Sequence, residues 1–344
     1  MTIKDFVNNY DPQNQFAVLK ESFKQIEFAW NNIVDLSKIK SREFDAIVIT
    51  GMGGSAISGD LLKEIFNDEI QIPLFVVRNY SLPSFVNNKT LVIISSYSGN
   101  TEESVSCFKD ALKRKSSIAA ISTGGKVEQI ALTEQIPRIE LQKGFQPRYA
   151  LGMSFFTLVK VFQSLKIIPL QESFVESVTK LWKEKAELYS KENNYALNIA
   201  DELIGYIPII YSCSGITSAA GYRMKCQFNE NSKLHAFHNS IPELDHNEII
   251  GWETFRDNQL NAKIINILDD DYPPQIRKRF DITTELAGRK GVDAITLMSS
   301  EKNRKVRIMD LIYLGDWITY YLAVLRGFDP SEIEYIHELK KRLA

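Results

Sequence analysis

Short apolar runs recur along the chain, and charged or amphipathic stretches separate most of them. In the first half the runs lie at 45–50, 73–77, 91–95, 117–122 and 137–141. In the second half they lie at 207–211, 262–268 and 292–298. Strands that are apolar throughout and alternate with helices are typical of a parallel sheet covered on both faces. The pattern therefore predicts an α/β protein.

The stretches between these runs predict helices, most clearly at 55–66, 274–287, 308–326 and 331–343. A long charged stretch at 172–204 predicts a helical bridge between two halves. Because a domain has about 150 residues on average, a chain of 344 residues suggests two domains. We expect an N-terminal domain over 1–170 and a C-terminal domain over 171–344, each with a mainly parallel sheet flanked by helices.

The two halves resemble each other when the sequence is shifted by 162 residues. DAIVITGMGGSAISGDLLK then aligns with IPIIYSCSGITSAAGYRMK, and four positions are identical. Two of these pairs are glycines, Gly53 with Gly215 and Gly59 with Gly221. Both pairs fall at the same strand–turn–helix junction, which indicates an internal duplication.

Composition and charge exclude several classes of protein. The chain has 41 Lys and Arg against 43 Asp and Glu, so a strongly basic nucleic-acid-binding protein is excluded. No uninterrupted apolar run approaches the roughly 20 residues of a membrane helix, and the first residues show no targeting pattern. Three scattered cysteines form neither a disulfide framework nor a zinc motif. We therefore expect a soluble cytoplasmic protein without metal.

The turn Gly51–Ala56 lies between a predicted strand and a predicted helix. Glycines allow the backbone to approach a ligand, and the N–H groups of a helix N-terminus attract an anion. The spacing also fits the G-x-G-x-x-A turn of dinucleotide-binding folds. Those folds need an acidic residue about 20 positions later, where this chain has Arg78. An NADP-dependent enzyme whose Arg78 meets the extra phosphate stays an alternative.

A second turn, SSYSGNTEE at 95–103, follows the run LVIIS and opens another helix. The hydroxyls of Ser96, Ser98 and Thr101 can converge on one small anion, and Gly99 permits the turn. A simple N-cap is the alternative. With Thr101 as cap, however, the strict capping box fails because Ser104 stands where Glu or Gln is needed.

Together the two turns resemble the sugar isomerase (SIS) domain, and in particular the bifunctional phosphoglucose/phosphomannose isomerase family. Four further segments resemble motifs of that family in the family's order. They are PRYA at 147–150, NENSK at 229–233, PELDHNE at 242–248 and ELKKRL at 338–343. The resemblance implies two SIS-type domains and reversible isomerisation of glucose 6-phosphate and mannose 6-phosphate with fructose 6-phosphate, a step of sugar metabolism and glycolysis.

The resemblance also implies roles for single residues. Glu230 would be the base that moves a proton between C1 and C2, and His246 would open the sugar ring across a dimer interface. Arg148 would stabilise the enediolate, and Lys340 would lie near the sugar, with Lys341 as the adjacent alternative. The phosphate would be held by Gly53, Gly54, Ser55, Ser96, Ser98 and Thr101. This proton transfer needs no metal or organic cofactor.

The second half differs where the first would bind phosphate. Its strand at 262–268 runs into Asp269, Asp270 and Asp271, whose carboxylates would repel a phosphate. Cys213 and Ile216 also replace Gly51 and Gly54 of the first half. We therefore expect one phosphate site per chain. A non-catalytic phosphosugar sensor stays a second alternative. It would need the serine-rich turn but not Glu230 or His246.

His235 and His238 form a surface or interface pair in our interpretation, because no third metal ligand is evident at a suitable spacing.

Overall fold

Two parallel sheets form the framework of the protein in this computed structural model, which describes residues 2–39, 43–257 and 261–343. In chain order the strands are β1 Ala46–Thr50, β2 Leu74–Val77, β3 Thr90–Ser95, β4 Ser117–Ser122, β5 Arg138–Glu140, β6 Ile207–Cys213, β7 Phe237–Ile241, β8 Ala262–Leu268 and β9 Ala294–Met298. The first sheet has the order β2-β1-β3-β4-β5 and the second β7-β6-β8-β9. Every pairing in both sheets is parallel, as the apolar runs predict.

Helices connect the strands and cover the sheets. In chain order they are α1 Ile3–Tyr10, α2 Gln15–Lys20, α3 Phe23–Asn31, α4 Gly53–Ile65, α5 Glu102–Lys113, α6 Gly125–Thr133, α7 Leu151–Ser164, α8 Glu172–Tyr189, α9 Tyr195–Glu202, α10 Ser218–Glu230, α11 Pro274–Gly288, α12 Arg304–Leu325 and α13 Glu334–Leu343. The chain divides by its contacts into a first unit, Ser22–Thr179, and a second unit, Met1–Glu21 with Lys180–Ala344. The sequence alone suggested a first domain of 1–170. In the structure, the N-terminal segment groups with the later unit.

The core of the first unit lies on β1, β3 and β4. Every residue of β1 and β3 is buried, as expected for central strands with helices on both faces. Val48, Val92 and Ile94 pack with Phe108 of α5 in one apolar cluster. This packing fixes where β1 and β3 end, and the two turns singled out in the sequence begin at those ends.

The second unit is organised around α12. This helix is long and apolar enough to cross a membrane, but 94% of its apolar window is buried inside the unit, as in the core helix of a globular domain. Tyr313 of α12 stacks on Trp182 with ring centroids 4.8 Å apart. The N-terminal segment is anchored to the same helix, because Tyr320 Oη donates a hydrogen bond to Asp11 and Tyr313 Oη donates one to the carbonyl of Leu19.

The predicted elements agree with the observed ones apart from shifts at their ends, with two exceptions. The stretch 172–204 is two helices, because the chain turns after α8 and Asn194 caps α9 by accepting a hydrogen bond from the Leu197 N–H. The other exception is β7, an edge strand that the apolar pattern did not predict. Its sequence, FHNSI, is mostly polar.

Candidate active site

The crevice between β1 and β3 is the topological switch point of the first sheet. The chain leaves β1 toward β2 and leaves β3 toward β4, so α4 and α5 begin side by side at the carboxyl ends of neighbouring strands. In open α/β sheets, ligands bind at such a point. Both turns predicted to bind phosphate lie here, and the helix N-termini make the position favourable for an anion.

The first turn is held by close backbone contacts. A Cβ at Gly54 would lie 2.6 Å from the carbonyl oxygen of Pro147, so no side chain fits there. This contact places the turn Pro147–Tyr149, which carries Arg148, directly against the start of α4. Arg148 is 3% exposed. The structure thus brings the predicted arginine to the predicted phosphate loop.

Ser55 links the two turns. Its Oγ accepts a hydrogen bond from the backbone N–H of Tyr97 at 3.0 Å, and the residue is buried. Tyr97 Oη in turn donates to the carbonyl of Gln142 and accepts from the N–H of Phe145, both at 2.9 Å. Burial raises the pKa of Tyr97. Sequence reasoning did not single out Tyr97, although an aromatic residue inside a serine-rich turn was the signal.

The hydroxyls of the second turn lie together. Ser96 Oγ is 3.2 Å from Thr101 Oγ1 and accepts a hydrogen bond from the Gly99 N–H, while Ser98 is exposed. Thr101 is the N-cap of α5, yet its side chain makes no capping hydrogen bond. Asn100, the other residue at this helix start that could cap it, accepts a hydrogen bond from the N–H of Lys126 through its Oδ1. The simple-cap interpretation of this turn is therefore wrong.

In the second unit, Glu230 is the last residue of α10. The other side chains of the NENSK segment make hydrogen bonds that shape the turn around it. Asn229 donates to the Leu234 carbonyl, Asn231 to Thr319 Oγ1, and Ser232 to the Thr319 carbonyl. Lys233 Nζ donates to the carbonyls of Glu230 and Asp329 at 2.9 and 2.6 Å. The motif is thus a tight turn that presents one carboxylate.

His246 ends a 3₁₀ turn, Glu243–His246, and is exposed. The residues around it are anchored. Asp245 accepts from Arg279 Nη1 at 2.8 Å and from Thr283 Oγ1 at 3.0 Å, both on α11. Glu248 accepts from Tyr211 Oη at 2.8 Å and from Asn239 Nδ2 at 2.7 Å. The imidazole is therefore displayed on a fixed turn, as a group acting on an external ligand needs to be.

Lys340 and Lys341 both lie on α13, in which every residue from Glu334 to Leu343 is exposed. The helix has an apolar side, with Ile336 and Leu339 exposed by 37% and 58%. The structure therefore does not choose between the two lysines.

The switch point of the second sheet is filled by the protein's own side chains. Tyr272 Oη pairs with Thr217 Oγ1 at the start of α10 and donates to the Ile267 carbonyl. Asp269 is buried and accepts two hydrogen bonds from Arg307, each at 2.8 Å. This contact raises the pKa of Arg307. At the switch point of the second sheet, Asp269 and Tyr272 therefore stand where serine and threonine hydroxyls stand in the first unit.

The structure also bears on the competing interpretations. Arg78, the candidate for an NADP phosphate, forms an ion pair with Asp60 of α4. His235 is exposed, whereas His238 is largely buried and its Nε2 lies 2.7 Å from Ser212 Oγ, so the two are not a surface pair. Within the three described ranges, no group of three His, Cys, Asp or Glu side chains is placed to hold a metal ion.

Comparison with known proteins agrees with these motifs. Residues 192–343 match the family model of the bacterial phospho-glucose isomerase C-terminal SIS domain. A bifunctional phosphoglucose/phosphomannose isomerase of Caldicellulosiruptor bescii is 39% identical over 328 residues, covering 93% of this chain and 96% of that protein. One of Aquifex aeolicus is 35% identical, covering 94% and 99%.

Among solved structures, a hypothetical protein from Thermus thermophilus has a TM-score of 0.75 at 15% identity, covering 99% of this chain and 93% of its own. That likeness concerns the fold alone, whereas the family model matched by residues 192–343 agrees with the SIS-type architecture predicted from the motifs. The identity to the curated proteins extends over nearly the whole chain. The chain belongs to the bifunctional phosphoglucose/phosphomannose isomerase family.

Proposed function

We propose that this protein interconverts glucose 6-phosphate and mannose 6-phosphate with fructose 6-phosphate. Membership of the family supports the activity. The observation that supports the proposal is the pair of turns at the first switch point, where two helices begin side by side and Ser96 Oγ lies 3.2 Å from Thr101 Oγ1, with the exposed Ser98 on the same turn. The substrate phosphate binds there, with the backbone N–H groups of Gly53 and Gly54 as further donors and with Ser55 as a further contact.

The reaction is a proton transfer that leaves the overall oxidation state unchanged. Glu230 takes the proton from C2 of the open-chain aldose, the C–H electrons form the C1–C2 double bond, and O1 takes up a proton. Loss of the proton on O2 gives the C2 carbonyl as Glu230 returns its proton to C1. A single carboxylate suits this exchange because it can accept a proton and deliver it to a neighbouring carbon.

Three cationic or acid–base groups assist in this proposal. Arg148, buried beside the start of α4, stabilises the negative charge that develops on the enediolate oxygen. His246 transfers protons during ring opening, for which an imidazole is suited near neutral pH. Lys340 interacts with the sugar, with Lys341 as its neighbouring alternative.

We further propose a cytoplasmic homodimer in which His246 completes the site of the partner subunit. The exposure of His246 on an anchored turn supports this arrangement. Mixing inactive Glu230→Gln and His246→Ala subunits would then restore part of the activity. Absence of recovery, once subunit exchange is verified by mass spectrometry, would place both residues in a site formed by one chain.

The decisive experiment is Glu230→Gln, which keeps the size of the side chain and removes the proton acceptor. General-base catalysis is worth about 10²- to 10⁴-fold, so we expect kcat to fall by that range while fructose 6-phosphate still binds. Solvent deuterium should no longer enter C2 of glucose 6-phosphate, which NMR can follow. Exchange at the wild-type rate would show that another residue is the base.

A further inference from the structure

The last two turns of α10 carry buried polar side chains on the side that packs against α12. Arg223, Gln227 and Asn231 follow at intervals of four residues and so lie on one side of the helix. Each is at most 3% exposed. Such a stripe inside a core is unusual, because buried helix faces are ordinarily apolar.

Two residues of α12 pair with this stripe. Asp316 accepts two hydrogen bonds from Arg223 Nη2, at 2.9 and 2.8 Å, and one from Gln227 Nε2 at 2.9 Å. One turn further along, Thr319 Oγ1 accepts from Asn231 Nδ2 at 3.1 Å, and its carbonyl accepts from Ser232 Oγ at 2.7 Å. We call these contacts the α10–α12 ladder. It ends at the turn that carries Glu230.

Buried ion pairs and polar ladders contribute little net stability, since desolvation offsets most of the attraction. They do fix register, because a slip between the two helices would leave charged and amide groups unpaired in the core. Apolar side chains at the same positions would permit small slips along or around the helix axis. The ladder therefore controls where α10 ends in space, and Glu230 is its last residue.

We propose that Asp316 and Thr319 are positioning residues for the base Glu230. They act through Arg223, Gln227 and Asn231, and they fix the position of the carboxylate at the end of α10 within its own unit. This inference rests on the proposed role of Glu230. It goes beyond that role because it assigns the positioning of Glu230 to the buried α10–α12 ladder. Displacement of a catalytic group by about 1 Å can cost up to about 100-fold in rate.

Thr319→Val provides the sharpest test, because it removes the acceptor of the Asn231 amide with little change of shape. We expect kcat to fall about 10- to 100-fold, with the KM for fructose 6-phosphate unchanged, since the phosphate turns lie in the first unit. Thr319→Ser restores the hydroxyl and should restore most of kcat. Thr157→Val is the matched control, because Thr157 is also a buried helical threonine and its hydroxyl has no partner among the described residues.

The double variant Arg223→Met with Asp316→Leu separates positioning from stability. Replacing a buried ion pair by apolar residues often leaves stability unchanged or raises it. We therefore expect the urea midpoint to stay level or rise while kcat falls and KM holds. If this variant does not fold, Thr319→Val decides the question.

The outcomes distinguish the two proposals. If Glu230→Gln abolishes deuterium exchange while folded Thr319→Val keeps kcat within twofold of wild type, the ladder has no positioning role and the proposed base stands. The ladder inference is also overturned if Thr319→Ser fails to restore kcat, or if KM rises in step with the loss of kcat. If Glu230→Gln exchanges normally, the base assignment itself fails.

Discussion

The carboxyl edges of the two sheets have the same backbone arrangement but carry different side chains. Each has a central strand that leads through a glycine turn into a helix, and each sheet has the same strand order around its switch point. In the first unit, serine and threonine hydroxyls line that point. In the second, Tyr272 and the Asp269–Arg307 pair fill it. The second sheet thus keeps the strand order of the first, although internal side chains fill its switch point.

Close packing explains why both halves have glycine at corresponding positions of α4 and α10. A Cβ at Gly59 would lie 3.1 Å from Val76 on β2, and one at Gly221 would lie 2.7 Å from His238 on β7. In both units the helix after the first central strand approaches the edge strand at a glycine. The neighbours differ, apolar in the first unit and polar in the second.

The largest expected effect concerns Asp269. Asp269→Asn removes the buried one of the two carboxylates that pair with Arg307, while the half-exposed Asp271 stays 3.0 Å away. We therefore expect a loss of about 3 kcal/mol of unfolding free energy, the lower end for a broken buried pair. Asp270→Asn is the matched control, because the Asp270–Arg277 pair is exposed and worth at most about 1 kcal/mol. Urea unfolding measures both variants. A large rise in KM without loss of stability would instead make Asp269 part of a binding site.

The next effect concerns the hydroxyls of the first switch point. Ser96→Ala with Thr101→Ala removes two donors to a charged group, each worth about 1.5 kcal/mol or more, so KM should rise roughly 100-fold. Ser116→Ala, whose hydroxyl bonds to the Asn87 carbonyl just before β4 begins, should leave KM unchanged. An unchanged KM in the double variant would remove the phosphate from this turn.

The polar packing at Gly221 makes the second unit sensitive to pH. Burial, with a smaller contribution from Lys225, lowers the pKa of His238 from 6.5 to about 4. Tyr222 and Ser212 also contact His238, and Ser240 contacts Ser212. The unfolded chain binds the proton of this imidazole more readily than the folded protein does. The stability that neutral His238 contributes is therefore fully present above pH 6.5 and is lost as the pH falls toward 4.

At pH 5 this loss amounts to about 2 kcal/mol. Urea unfolding at pH 7.5 and pH 5 should therefore show a smaller difference for His238→Gln than for wild type. Equal differences would mean that His238 titrates normally in the folded protein.

The smallest effect compares two tyrosines in corresponding loops. Tyr272→Phe removes hydrogen bonds within the second unit and should cost about 1 kcal/mol of stability, without change in kcat or KM. Tyr97→Phe should cost a similar amount. It should also lower kcat/KM, since Tyr97 holds the segment at 142–145 that leads to Arg148. Equal kinetic effects from the two changes would contradict the division of roles between the units.

Much of this comparison could be predicted from sequence, because buried parallel strands are continuous apolar runs and the glycine turns mark where helices begin. The serine-rich turn and the replacement of the phosphate loop by Asp269–Asp271 were also evident in the residues. The partner of Asp269 was not, because Arg307 lies 38 positions away on α12. Edge strand β7 was missed for a related reason, since its polar side chains pair with Ser212 of β6 and with Glu248 rather than with an apolar core.

The N-terminal segment makes two hydrogen bonds with residues 294 and 309 positions later in the chain. Ile3, Asp11 and Leu19 make hydrogen bonds with Glu192, Tyr320 and Tyr313. At 5–20 residues per second, Tyr320 leaves the ribosome on the order of half a minute after Asp11. During that time the whole of Ser22–Thr179 emerges and can fold, while the amphipathic segment before it has no native partner. We therefore expect Ser22–Thr179 to fold during synthesis before the N-terminal helices can pack on α12.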